Sequence, residues 1–186
     1  MWNSNKRSVS LNLRSEEGKA LLFRMLPEYD VFVENYVRPT PTPGTPASAE
    51  GRRFWQGPQR MEKLGIGYEA MKIVKPDIIY ARIKGFGMSG PWADYNCYDM
   101  VAQAAAGAFS ITGEADGPPL RPGPTTGDSG SGVQMALAIT AAYVQRMRTG
   151  EVRPPHSDYP TLKRSHLIAI GMVADSLGGC WVGRVS

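Results

Sequence analysis

A six-residue run at 78–83, IIYARI, apolar except for Arg82, leads without a break into the glycine-rich turn Lys84-Gly85-Phe86-Gly87-Met88-Ser89-Gly90-Pro91. A run this short, bounded by turn residues, reads as a buried strand rather than a helix. A second run, DVFVE at 30–34, ends at Asn35-Tyr36 and reads the same way.

The flanking segments supply further elements. Residues 8–13 (SVSLNL) alternate, with Val9, Leu11 and Leu13 on one face, and read as a strand. Ser15 then caps a helix with Glu16 and Glu17 in its first turn and Leu21, Leu22, Met25 and Leu26 at helical spacing. Strand, helix and the run at 30–34 make a candidate parallel unit, because a crossover helix is what joins parallel strands. Residues 68–74 read as a short helix ended by Pro76, and residues 98–108 look helical. A long helix capped by Asp128 or Ser129 runs through Met135, Leu137, Ile139, Tyr143 and Val144 to the neighbourhood of Gly150. The expected fold class is α/β, a Rossmann-like parallel sheet with flanking helices.

Three stretches interrupt this pattern. Residues 38–60 hold Pro39, Pro41, Pro43 and Pro46, which exclude a helix interior or a central strand. They read as an extended or disordered loop that a protease would cut first at Arg52 or Arg53, with a functional lid as the sharper alternative. Residues 113–127 (GEADGPPLRPGPTTG) form a second Gly/Pro loop. Residues 151–186 contain one apolar run, at 167–173, but no clear strand or helix period, and fit either a genuine terminal segment or an out-of-frame tail.

Composition narrows the function classes. The chain has 186 residues, 42% of them hydrophobic and 20% charged, as expected of one globular domain. Its net charge is +4 with a pI near 9.1, yet Lys and Arg are scattered singly, so nothing supports a nucleic-acid partner. The mild positive bias suits an ordinary solvated surface, and also a ligand carrying several phosphates. Cys97 and Cys180 have no metal-ligand spacing, so neither a metal site nor a disulfide framework is expected, and a reducing compartment fits. No run of about 18 apolar residues predicts a membrane span, and the opening residues lack the apolar stretch of a secretory signal. His156 and His166 receive no role.

Asp116 stands between Ala115 and Gly117-Pro118-Pro119, in a loop of the kind that α/β folds use for ligands. From residue chemistry alone, Asp-Gly-Pro-Pro reads as a turn ahead of a site. The blocks NKRSVSLNLRSEEGKALL, DVFVENY, MEKLGIGYEAMKIVKPDIIYARIKGFGMSGP, YDMVAQAAAGAFSITGEADGPPLRPG and GDSGSGVQMALAITAAYVQRMRTG follow one another in a telling order. In that order and spacing they resemble family III (CaiB/BaiF, formyl-CoA transferase-like) coenzyme A transferases.

The resemblance implies a segment of the large domain of such an enzyme over residues 1–37 and 61–150, interrupted by the 38–60 insertion and followed by a divergent tail at 151–186. It implies CoA transfer from an acyl-CoA to a carboxylic acid through an aspartyl anhydride and an aspartyl-CoA thioester, with Asp116 as the nucleophile. CoA contacts are implied at Arg14 and Lys63 (phosphates), Asn35 and Tyr36 (nucleotide), and Lys84 and Gly85 (pantetheine). Coenzyme A and acyl-CoA would be substrates, with no permanently bound cofactor and no membrane partner. Relatives form interlocked homodimers, and the cytoplasm is the expected location, or the mitochondrial matrix if a transit peptide precedes the chain. Asp128 matches the catalytic base of the racemase branch. Tyr98 stands where that branch has histidine, which favours transfer over racemisation and leaves Asp128 as a helix cap. The alternatives are an acyl-CoA racemase or epimerase, or an inactive segment that keeps weak CoA binding.

Overall fold

The computed structural model describes residues 4–36, 60–87, 91, 92, 95, 97–152 and 180–183. Residues 38–59 of the proline-rich insertion and most of the 151–186 tail lie outside the described residues.

Helix α1 (Glu16–Met25) begins where Ser15 Oγ accepts the Gly18 amide at 3.1 Å, with Glu16 and Glu17 in the first turn, as the sequence predicts. A 3-10 turn (Leu26–Glu28) leads into strand β1 (Val31–Glu34). Helices α2 (Arg60–Lys63) and α3 (Tyr68–Val74) follow, and α3 stops just before the Lys75-Pro76 pair, where a residue preceding proline leaves the helical region. Strand β2 (Ile79–Arg82) pairs with β1 in parallel, Phe32 opposite Tyr80 and Glu34 opposite Arg82. Helix α4 (Asp99–Ala105) ends at Gly107, whose φ of 82° no side chain adopts easily, and a 3-10 turn (Ala108–Ile111) follows. Helix α5 (Thr126–Thr149) closes at Gly150, also left-handed, whose amide reaches the Arg146 carbonyl at 2.8 Å. Strand β3 (Cys180–Gly183) pairs antiparallel with β1, giving the sheet order β2-β1-β3.

Two expectations are corrected. Residues 8–13 form no strand, although Leu11 and Leu13 do pack on the core. Alternation reports a half-buried extended segment, but a strand also needs a ladder partner, and none stands beside this one among the described residues. The parallel neighbour of β1 is therefore β2, reached through the insertion, α2 and α3, rather than a strand before α1. The tail, which showed no strand period, contributes β3, an antiparallel strand on the other edge of β1.

The core lies between one face of the parallel pair and helices α1 to α3. Phe32 packs there with Leu22, Leu26, Met61, Leu64, Ile66, Met71 and Ile78, and the Tyr80 ring meets Phe32 at 5.1 Å between centroids. Because side chains alternate along a strand, Glu34, Tyr80 and Arg82 share that face, while Val31, Val33, Ile79 and Ala81 turn to the other. Helix α5 packs against β2. Near its C-terminus, Arg146 donates to the Asp30 carboxylate at 2.6 Å and to the carboxylate and carbonyl of Asp77 at 3.3 and 3.1 Å. Those two aspartates lie just before β1 and β2, so the end of α5 is moored to the amino edge of the parallel pair.

Candidate active site at the carboxyl edge of the parallel strands

Open α/β sheets bind ligands where their strands end. At the end of β1, Glu34 is fully buried and accepts the Tyr36 amide at 2.8 Å. Its other contacts come from β2: Arg82 Nε at one oxygen, and Lys84 Nζ at the other, at 3.1 Å. Arg82 also reaches Glu62 on α2 at 2.8 Å and the Tyr80 hydroxyl at 3.0 Å. A buried carboxylate is tolerated when cations and amides surround it in this way. Burial depresses the Lys84 pKa, and the Glu34 carboxylate opposes the shift.

Lys84 Nζ also donates to the Tyr36 carbonyl at 2.7 Å, so this ammonium bridges the exits of both strands. Tyr36 is half-buried and packs on the core, with the Arg60 guanidinium 5.0 Å above its ring. Burial lowers the pKa of Arg60, and the nearby positive charge of Arg14 acts in the same direction. Arg14 therefore lies in the same neighbourhood as Tyr36 and Arg60, exposed in the turn before α1. Lys63, at the end of α2, is exposed, and Asn35 is half-buried between Glu34 and Tyr36. Tyr36, Lys84 and, through Arg60, Arg14 are thus gathered at one edge. Asn35 and Gly85 adjoin them in sequence.

Gly85 continues the chain of contacts toward α5. A Cβ on Gly85 would fall 2.0 Å from Cys97 Cβ, so the turn lies flat against a fully buried cysteine. Burial pushes the Cys97 thiol up to about 11, and the charge of Asp128 adds to the shift. Asp128 lies in the first turn of α5, half-buried, with its Oδ1 shielded from solvent. It is not the helix cap that the sequence suggests: the helix starts at Thr126, and Asp128 sits inside it.

Asp116 belongs to the 113–127 loop. It is exposed, on a turn closed by the Gly117 amide and the Glu114 carbonyl at 3.0 Å. Gly113, at a φ of 108°, packs against Leu120, and the Leu120 amide reaches the Phe109 carbonyl at 3.2 Å, so the loop folds on itself. No hydrogen bond or ion pair links Asp116 to the Lys84 edge among the described residues.

Sequence reasoning missed Glu34 and Arg60. Glu34 carried one legible signal, a charge ending an apolar strand. Arg60 is found only through its approach to Tyr36, distant in sequence. Among the described residues no group of His, Cys, Asp and Glu side chains is arranged to hold a metal ion, and no helix is long and apolar enough to cross a membrane.

An α/β unit with basic and acidic side chains gathered where two parallel strands end belongs to the broad class whose members take up ligands beyond the strand ends. The particular class follows from comparison: the chain belongs to CoA-transferase family III, whose family model matches residues 1–42 and 56–153. It is 41% identical over 150 residues to a formyl-CoA:oxalate CoA-transferase of Streptomyces coelicolor, covering 81% of this chain and 32% of that one. It is 36% identical over 149 residues to a succinate–glutarate CoA-transferase of Agrobacterium fabrum, covering 80% and 32%. Among solved structures it resembles a CaiB/BaiF family protein from Brucella suis, with a TM-score of 0.66, 33% identity, and 80% and 34% coverage. The chain thus spans about a third of the length of the curated relatives it matches.

Proposed function

We propose that this chain carries the thioester-handling part of a CoA transferase, with CoA lying along the carboxyl edge of β1 and β2 and an aspartate near that edge receiving the acyl group. The supporting observation is the path of close packing from the Lys84-Gly85 turn through Cys97 and Ala102 to Gly127 in the first turn of α5. Arg14 and Lys63 are exposed and suited to the CoA phosphates, and Asn35 and Tyr36 to the nucleotide. Lys84, already engaged on Glu34 and Tyr36, shapes the pantetheine wall with Gly85 rather than serving as a loose phosphate clamp.

Two aspartates compete for the nucleophile. The resemblance points to Asp116. The geometry favours Asp128, because it follows Gly127, which meets Ala102 beside the cysteine that packs on Gly85, and because the first-turn amides of a helix favour the negative charge that develops during acyl transfer. We therefore assign the role to Asp128, with Asp116 as the competing assignment.

In the reaction, a carboxylate oxygen attacks the thioester carbonyl, and collapse of the tetrahedral adduct expels CoA thiolate and leaves an acyl–aspartyl anhydride. The thiolate then attacks the aspartyl carbonyl, releasing the first carboxylate and forming an aspartyl-CoA thioester. The acceptor carboxylate attacks this thioester and expels the thiolate, which takes the acceptor's acyl group and restores the aspartate. Donor and acceptor are an acyl-CoA and a carboxylic acid. Formyl-CoA and oxalate, named for the relatives, are the first pair to test.

Incubating the chain with formyl-CoA and oxalate should yield oxalyl-CoA by mass spectrometry. Deuterium uptake at the α-carbon of a branched acyl-CoA without CoA transfer would replace this reading with racemisation. Absence of both reactions, with no calorimetric heat at millimolar CoA, would overturn it.

A further inference from the structure

We propose that Asp99 is a positioning residue of this site, fixing from the start of α4 both the first turn of α5 and the far end of the 112–125 loop. The inference rests on the assignment of Asp128 as nucleophile, and concerns a residue that the family comparison does not single out.

The first amides of a helix have no partners within it and need a cap. Helix α5 does not supply its own, for the Thr125 side chain makes no capping hydrogen bond. Asp99, only 6% exposed, does so from another helix: its Oδ1 accepts the Gly127 amide at 2.9 Å and the Asp128 amide at 3.4 Å. The group so held is the backbone of Asp128 itself. The other oxygen, Oδ2, accepts Gln103 Nε2 at 2.7 Å and faces Arg121 Nη2 at 3.6 Å. Gln103, also buried, shares that amide with the Pro124 carbonyl at 3.1 Å. Arg121 and Pro124 belong to the loop that carries Asp116, so one carboxylate reaches both the loop and the helix behind it.

The sequence around the contact is built for close approach. A Cβ on Gly127 would lie 2.9 Å from Asp99 Oδ1 and 3.2 Å from Ala102 Cβ. Glycine at 127 therefore lets the helix start settle onto α4, and Ser131, donating to the Gly127 carbonyl at 2.7 Å, braces the same turn. Asp99 touches no reacting atom in this scheme. It sets where the carboxylate of Asp128 stands, and misplacement of a reacting group by about 1 Å is enough to cost roughly a hundredfold in rate.

The test uses the 186-residue chain, with formyl-CoA as probe and hydroxylamine as trap. In Asp99→Ala, amides 126–129 should exchange about tenfold faster while those of β1 and β2 keep their protection. The rate of trapping on Asp128 at saturating formyl-CoA should fall about tenfold or more, with the half-saturating concentration within about twofold. Asp99→Asn keeps the oxygen that accepts Gly127 and should restore both readouts to within about threefold. Gly127→Ala, which forces a methyl toward Oδ1 and leaves the carboxylate in place, should reproduce the loss, and serves as the reporter if Asp99→Ala fails to fold. Unchanged exchange at 126–129, or unchanged trapping, in a folded Asp99→Ala or Gly127→Ala chain would overturn the proposal. If the wild-type chain gave no adduct on Asp128, the functional assignment would fall, and the exchange data would still decide whether Asp99 holds the turn.

Discussion

Glu34 has none of its side chain exposed, yet its two oxygens collect Arg82, Lys84 and the Tyr36 amide at the point where β1 leaves the sheet. Its neighbour in this arrangement, Gly85, is equally constrained, because there is no room for a Cβ between the turn and Cys97. Gly85→Ala should cost about 1–3 kcal/mol, the usual range for overpacking a tight contact. Cys97→Gly should recover part of that loss in the double variant, and denaturant melts of the four proteins measure the coupling. Cys97 also makes a pH prediction. Its thiol is raised from 9.0 to about 11 in the folded chain, so below pH 9 both states keep the proton and nothing changes. As pH climbs from 9 toward 11 the unfolded thiol ionises first, and stability falls by that difference. Native iodoacetamide labelling at pH 8 should be far slower than in denaturant, and equal rates would contradict the burial of this thiol. Lys84 could be placed near a ligand by resemblance, but its bond to Glu34 could not be seen: the two are fifty positions apart, and no local period records such a pair.

Among the elements, those with strong local signals were legible. The Ser15 cap, the stop before Pro76, the run at 78–83 and the glycine closing α5 each appear close to where the chain chemistry puts them. Elements that depend on a distant partner were not. Residues 8–13 alternate like a strand but find no ladder, β3 has little pattern of its own, and α5 starts three residues earlier than a cap at Asp128 would put it, because Asp99 accepts its first amides from another helix. Helix α5 is the element that joins the two edges of the sheet, and Arg146 is its mooring. Arg146→Ala should lower stability by about 1.5–3 kcal/mol, since charge-assisted bonds to both Asp30 and Asp77 are lost. Arg146→Lys should recover little, because one ammonium cannot reproduce a forked guanidinium. Thermal melts of the three proteins test this, and a lysine variant as stable as wild type would contradict it.

At the scale of the whole molecule, the family was legible because several blocks coincide in order, and the family model matches residues 1–42 and 56–153, leaving out 43–55 within the proline-rich insertion. The choice between two aspartates was not legible. Both stand beside glycine in the sequence, and they are separated by the packing that runs from Gly85 through Cys97 and Ala102 to Gly127, and by the place of Asp128 in the first turn of a helix. The assembled picture is a carboxyl edge prepared by Glu34 and Lys84, continued by Gly85 and Cys97, and completed by an aspartate at the head of a 24-residue helix. Its central claim is that Asp128 is the group that becomes acylated. The most direct test is to incubate the chain with formyl-CoA and hydroxylamine, digest it, and locate the hydroxamate by peptide mass spectrometry. The label is expected on Asp128, abolished by Asp128→Asn and kept in Asp116→Asn. A hydroxamate on Asp116, or one on Asp128 that survives loss of thioester from the mixture, would contradict it.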